Sequence, residues 1–251
     1  MSPTSDRHEL IVWHSKMNRS ALLRLGVALL FSLALASAGE LRRSYFEATR
    51  PNAWSEYALS SGTRPKVAFR YQRQRDVDGK IVIELTVTTP IAPGKESKSK
   101  NTYIMSRKFN LGRDGLSFGK FIEQMSMSSS GMDLQVDHAT LDQIRQAEKD
   151  FRGAVTFEKT EKIDGRTCDR YAYSLRTLGA VPTVEKGTLW LSDSVPFAIV
   201  RQVADVFKPN GTKLSSFTMQ LQAAGTAKSP GSRTALQPTR DAPAKPPANN
   251  P

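Results

Sequence analysis

From Lys80 to Leu221, apolar and polar residues alternate with a period of two, and this constrains the fold more than any other feature of the chain. Ile81, Ile83, Leu85 and Val87 fall on one side of an extended segment, with Glu84 and Thr86 on the other. Successive side chains of a strand point to opposite faces, so this pattern describes a sheet with one buried face. Val155 and Phe157, then Tyr171, Tyr173 and Leu175, then Leu189 and Leu191, repeat it. So do Phe197 with Ile199, and Phe217 with Met219 and Leu221. Asp78-Gly79, Asp164-Gly165 and Asn210-Gly211 stand between such runs and supply the positive φ that tight hairpins require. Asn210-Gly211-Thr212 also matches a glycosylation sequon, but the hairpin reading is adopted.

Two segments break the period. Phe118, Phe121, Ile122 and Met125 are spaced i, i+3, i+4 and i+7, which predicts one apolar face of a helix after the turn Asp114-Gly115. Leu141, Ile144, Ala147 and Phe151 follow Asp137, an N-cap residue, and predict a second helix. The expected fold class is therefore mainly β with two helices, an α+β arrangement. Between the helices, residues Met125 to Met132 read as a flexible, thioether-rich connection, either a lid over an apolar site or a loop whose methionines fill gaps.

The N-terminal region speaks to destination. Arg19 and Arg24, the apolar run Leu25 to Ala36 and the small-residue ending Ala36-Ser37-Ala38 form the three parts of a secretory signal peptide. The run is shorter than the roughly 20 apolar residues of a spanning helix. Met17 is the expected translation start, so 1–38 is read as an N-terminal extension plus signal and Gly39 as the mature N-terminus. No later apolar run is long enough to span, so no transmembrane anchor is expected after cleavage, and the A-x-A site suggests a bacterial, periplasmic product. Segment 39–225 reads as one β-rich domain, and 226–251, rich in proline and without aromatic residues, as a disordered tail. The formal charge of +12 would suggest nucleic acid in a cytosolic protein. Export argues against that partner and points to an anionic envelope surface or to a merely solvated basic face.

Few residues here can carry catalysis. Cys168 is the only cysteine, so neither a disulfide framework nor a lipid-bearing cysteine at the cleavage point is available. His8 and His14 precede the signal, which leaves His138 as the only imidazole of the exported domain. A zinc cluster cannot be built from these, and the glycines from Gly112 to Gly119 lack the spacing of a phosphate loop. No catalytic residue, metal site or cofactor is expected. Paired carboxylates remain a spatial question.

Three segments resemble a known group. Ala53 to Tyr57 (Ala-Trp-Ser-Glu-Tyr), Ile163 to Tyr173, and Glu185 to Arg201 with its Trp190-x-Ser192-x-x-Val195-Pro196 signature are similar to strands of exported bacterial proteins related to the outer-membrane lipoprotein carriers of the LolA and LolB type. The resemblance implies a curved antiparallel sheet, or half-open β-barrel, with a helical lid, and an interior that holds a lipid or lipoprotein acyl chain. It makes Trp54, Trp190 and Phe197 candidate lining residues, beside Phe118, Phe121, Ile122 and Met125 of the expected lid. The polar stretch Pro93 to Asn101 departs from it and reads as an insertion. A non-enzymatic acyl-binding protein is the leading expectation, an envelope assembly protein with a packed interior the second, and a carboxylate-dependent hydrolase the third. Edman sequencing of the exported protein is expected to begin Gly-Glu-Leu-Arg-Arg at Gly39; a product retaining residues before Gly39 would refute the cleavage site.

Overall fold

The computed structural model describes residues 43–46, 48–62, 65–111, 119–129, 131–149, 152–177 and 182–227. The expected signal segment lies outside these, as do Phe118, Phe151 and the tail beyond Ala227. Eleven strands form one antiparallel sheet: β1 (Ala53–Ser60), β2 (Val67–Arg73), β3 (Val82–Ala92), β4 (Lys95–Met105), β5 (Ile122–Ser129), β6 (Met132–Gln135), β7 (Arg152–Ile163), β8 (Arg166–Thr177), β9 (Thr183–Leu191), β10 (Ile199–Phe207) and β11 (Lys213–Thr226). One α-helix, α1 (His138–Lys149), lies between β6 and β7.

The spatial order is β6-β5-β4-β3-β2-β1-β11-β10-β9-β8-β7. Each strand pairs with its sequence neighbour, except that β11 returns beside β1 and β6 is not paired with β7. This is the order of an up-and-down barrel left open at one seam, and α1 connects the two free edges. Side chains from both halves meet in one core, as when Tyr45 reaches Tyr171 and Phe197 reaches Tyr71. The sheet therefore curls around that core.

Register settles which face is which. Tyr71 pairs with Ser55 and Leu85, Leu85 with Asn101, and Asn101 with Met127. Met219 pairs with Gln202, Gln202 with Leu189, Leu189 with Tyr171, and Tyr171 with Phe157. Paired residues project to one side, so both rows lie on the inner face, where Leu85, Tyr71, Gln202 and Tyr171 are all buried.

The hairpin turns follow the sequence reading. Asp78 and Gly79 have φ of 51° and 72°, and Asp164 and Gly165 of 49° and 76°, the paired left-handed conformation of a two-residue turn that matches strand twist. The helix after Asp137 is also present. Asp137 Oδ1 accepts from Thr140 N at 2.8 Å, and Leu141 and Ile144 are buried. Arg145 Nε donates to Ile122 O at 3.1 Å and ties α1 to the start of β5.

Four readings are corrected. The helix expected through Phe121, Ile122 and Met125 is instead a single 3-10 turn, Gly119–Phe121, followed by β5, so α1 is the one α-helix among the described residues. Ile122 and Met125 are buried as expected, but they reach one face because a bulge opposite Ile104 and Met105 breaks strand alternation. The methionine-rich connection is the β5–β6 hairpin, not a flexible lid. The polar stretch from Pro93 is the turn and first half of β4, paired residue by residue with β3, and Phe197 lies in the β9–β10 loop rather than in a strand.

Gly187 of β9 tests the close packing of neighbouring strands. A Cβ built there would lie 2.2 Å from Val203 O and 2.9 Å from Ala204 Cβ. Gly187→Ala is expected to cost about 1–3 kcal/mol, as overpacking does, because the obstructing atom is backbone. Asp137→Ala should cost about 1 kcal/mol through its lost cap. Denaturant melts of the two variants check both values, and an unperturbed Gly187→Ala protein would show that β9 and β10 are not packed as described.

Candidate functional site

Among the described residues, the unpaired edges β6 and β7 carry three of the six exposed large apolar side chains, the others being Val77, Ile91 and Leu214. Met132 and Leu134 of β6 pair with Ser129 and Met127, which places them on the inner face, yet they are 64% and 60% exposed. Across the seam, Phe157 of β7 is on the same face and 44% exposed. Its ring meets Tyr171 edge-on at 5.6 Å. Inner-face residues of a closed barrel would be covered by the next strand; here the missing β6–β7 pairing exposes them. The segment Met127 to Leu134 thus forms one thioether-and-leucine margin, and Phe157 the other.

The interior between these margins is filled. Tyr57, Tyr71, Tyr103, Tyr171, Phe69 and Phe197 are all buried there. Tyr57 and Tyr71 meet edge-on at 6.1 Å, and Tyr71 tilts against Phe197 at 5.6 Å. The loop carrying Phe197 has left-handed φ at two consecutive non-glycine residues, 61° at Phe197 and 64° at Ala198. Such residues cost of order 1–3 kcal/mol each unless their surroundings hold them. Here Phe197 N donates to Thr49 Oγ1 at 2.6 Å, Ser55 Oγ donates to Pro196 O at 2.6 Å, and Ala198 N donates to Val195 O at 2.9 Å. The Trp-x-Ser-x-x-Val-Pro signature is the local code for this plug: Val195 is buried, and the Ser192 and Ser194 hydroxyls bond at 2.9 Å.

Other predicted lining residues are separated from one another. Trp54 and Trp190 belong to the alternate register and stand on the outer face. Arg70 stacks 4.2 Å over Trp54, while Arg170 and Arg201 lie 5.5 and 5.4 Å from the ring of Trp190. Trp190 Nε1 donates to Glu161 Oε1 at 2.7 Å, so its polar edge is satisfied away from the interior. Phe121 is half-buried beside Phe109 at 5.3 Å, and Ile122 and Met125 are core residues under α1. Met132, Leu134 and Phe157 were missed as a set because a strand edge becomes visible only once pairings are known.

Two carboxylates sit on the inner face, each with phenols. Tyr45 Oη donates to Asp169 Oδ2 and lies 2.8 Å from Tyr171 Oη, and Thr160 Oγ1 donates to Asp169 Oδ1 at 2.5 Å. Tyr173 Oη donates to Glu185 Oε1 at 2.6 Å, and Gln202 Nε2 donates to Tyr173 Oη at 2.6 Å. Since Asp169 pairs with Leu191 of β9, it stands six residues from Glu185 along the strand direction, roughly 20 Å. That is beyond the separation at which two carboxylates share a glycosidic bond. Burial pushes the Cys168 thiol up, away from the thiolate a nucleophile needs, and the sulfur lies 3.6 Å from Arg166 O. Among the described residues, no group of three or more His, Cys, Asp or Glu is placed to hold a metal ion, and no helix is long and apolar enough to cross a membrane.

Burial raises the Glu185 carboxyl above its ordinary value of 4.5, against the opposing hydrogen bonds from Tyr173 and Gln202. The folded state thus favours the protonated acid. Its contribution is fully present below the unfolded carboxyl value and is lost as pH rises through the raised one. Glu185→Gln keeps the acceptor oxygen and removes the charge. Its melting temperature should gain on the wild type as pH goes from about 4 to about 7; a difference constant with pH would show that Glu185 ionises freely.

No protein-family profile matches the chain, and no curated protein matches it. Among solved structures, MucB is 12% identical with a TM-score of 0.37, covering 82% of this chain and 64% of its own. LprF from Mycobacterium bovis is 12% identical with a TM-score of 0.34, covering 75% and 91%. A Bacteroides fragilis protein with a YmcC-like fold is 11% identical with a TM-score of 0.33, covering 71% and 99%. At this level of similarity neither fold nor function is carried over from them.

Proposed function

We propose that this is an exported, non-enzymatic protein of the bacterial periplasm that holds a lipid or lipoprotein acyl chain along the open seam of its barrel. The observation that carries the reading is the inner-face exposure of Met132, Leu134 and Phe157 on the two free edges. An acyl chain needs an extended apolar contact and no directional partner, and flexible thioethers beside a leucine and an aromatic ring offer that. Each methylene removed from water contributes about 0.8 kcal/mol, so a chain laid along the seam gains several kcal/mol before the costs of association. The filled interior shifts the reading of the sequence: the chain lies at the seam rather than deep inside.

A second reading is an envelope interaction protein that holds no lipid, and the buried aromatic centre of the barrel favours it. Displacement of a fluorescent fatty acid separates the two. Wild-type protein is expected to bind the probe, and Leu134→Asp to bind it about tenfold more weakly, since a charge would have to be desolvated against the chain. Its melting temperature should stay close to wild type because Leu134 is exposed. Absence of probe binding by the wild type would overturn the acyl reading and leave the second.

A further inference from the structure

The outer edge of β7 carries a charge order that is complementary to itself. Among the described residues β7 pairs with β8 alone, and it offers 12 residues where β6, the other end of the sheet, offers 4. Glu158-Lys159-Thr160-Glu161-Lys162, read in reverse, exchanges the sign of every charge about Thr160. Glu158, Lys159, Thr160 and Lys162 are exposed, and Glu161 is half-buried. The direction of the backbone follows from the turn. Ile163 and Arg166 close the two-residue Asp164-Gly165 hairpin, and the pair flanking such a turn exchanges both of its hydrogen bonds. Bonded pairs alternate with unbonded ones, so Glu161 with Cys168 and Lys159 with Arg170 are bonded, while Lys162 with Thr167 and Thr160 with Asp169 are not. The N–H and C=O of Thr160 and Lys162 therefore point away from β8, to the open side.

We infer that this edge is a homodimer interface, in which a second copy adds its own β7 antiparallel with Thr160 opposite Thr160. The two threonines sit on the two-fold axis and exchange both backbone hydrogen bonds. Lys159 and Glu161 project to the outer face beside Arg170 and Trp190, and each stands opposite the other across the axis. Lys162 meets the bulge after Phe157, where the second copy has Glu158. Lysines on an edge ordinarily repel an added strand. Here that repulsion selects the register: a slip of one residue either way brings Glu158 against Glu161 or Lys159 against Lys162. The charges already have partners within one chain, since Lys159 Nζ lies 2.8 Å from Glu161 Oε2 and Arg170 Nε lies 2.6 Å from Glu158 Oε2. Association therefore needs no unpaired ion. Main-chain groups of the open edge supply the ladder, and the charge order sets its partner and register. The strand edge rather than the apolar rim forms this contact, so it can stand or fail apart from the acyl reading.

The test is sedimentation equilibrium of the processed protein, with Lys159→Glu and Glu161→Lys measured alone and mixed. Wild type should pass from monomer to dimer by about 100 µM, as a small interface does. Each variant alone sets like charges opposite one another and should self-associate about tenfold more weakly. An equimolar mixture restores opposite charges at both places and should dimerise as wild type does, which a merely damaged fold could not. Glu161→Lys gives up the bond from Trp190 Nε1, so Lys162→Pro decides the matter if that variant does not fold. The N–H lost in Lys162→Pro lies outside the β7–β8 ladder, so the dimer should weaken while dilute protein melts close to wild type. Wild type that stays monomeric at about 100 µM, variants that dimerise as it does, or a mixture no tighter than its components would each overturn the interface.

Discussion

Pairing of β1 with β11 joins the two halves of the molecule, and the remaining geometry depends on it. Ala53 lies opposite Thr226 and Ser60 opposite Thr218, so residues far apart in the chain form a central ladder of the sheet. Such a contact requires closure of nearly the whole domain, and this entropic cost is recovered only when the faces on either side become buried. Once the ends are joined there, the unpaired edges must be β6 and β7, in the middle of the chain, and α1 must span them. At its end β11 runs to Thr226, and Ala227 N donates to Asn52 O at 2.8 Å.

The β9–β10 loop secures this arrangement from inside. Thr49, Ser55 and Tyr71, which precede or belong to the first two strands, receive Pro196 and Phe197 from the far half. Left-handed backbone at two non-glycine residues is tolerated because those contacts over-determine it. The same plug, together with the buried tyrosines, occupies the interior that a deep lipid cavity would need. Exposed apolar side chains of the inner face are found instead at the seam, where strand pairing ends.

Charge is distributed according to face. The inner carboxylates Asp169 and Glu185 are held by phenols and amides, whereas the outer face pairs arginine with tryptophan and with carboxylates. Arg170 Nε lies 2.6 Å from Glu158 Oε2 in an ion pair while its guanidinium stands over Trp190, a residue 9% exposed that packs with the core and carries cations on its outer side. Aromatic identity alone does not tell which side of a strand Trp54 and Trp190 occupy. A strand segment with a tryptophan at every second position would read identically whichever side faced the core.

The sequence by itself determined the alternating strands β3, β7, β8, β9 and β11, the Asp-Gly turns and the capped helix after Asp137, because each depends on neighbours within a few residues: alternation, left-handed φ and an N-terminal hydrogen bond are local properties. It misjudged Phe121 to Met125, since i, i+3, i+4 spacing in a short segment is also produced by a bulged strand, and only pairing with β4 distinguishes the two. Which face of each strand turns inward, where the barrel opens, and whether Met132, Leu134 and Phe157 share a rim were decided by tertiary structure alone. Those features depend on register between strands remote in the chain, and a one-residue slip in register reverses every side chain without altering the pattern that the sequence displays.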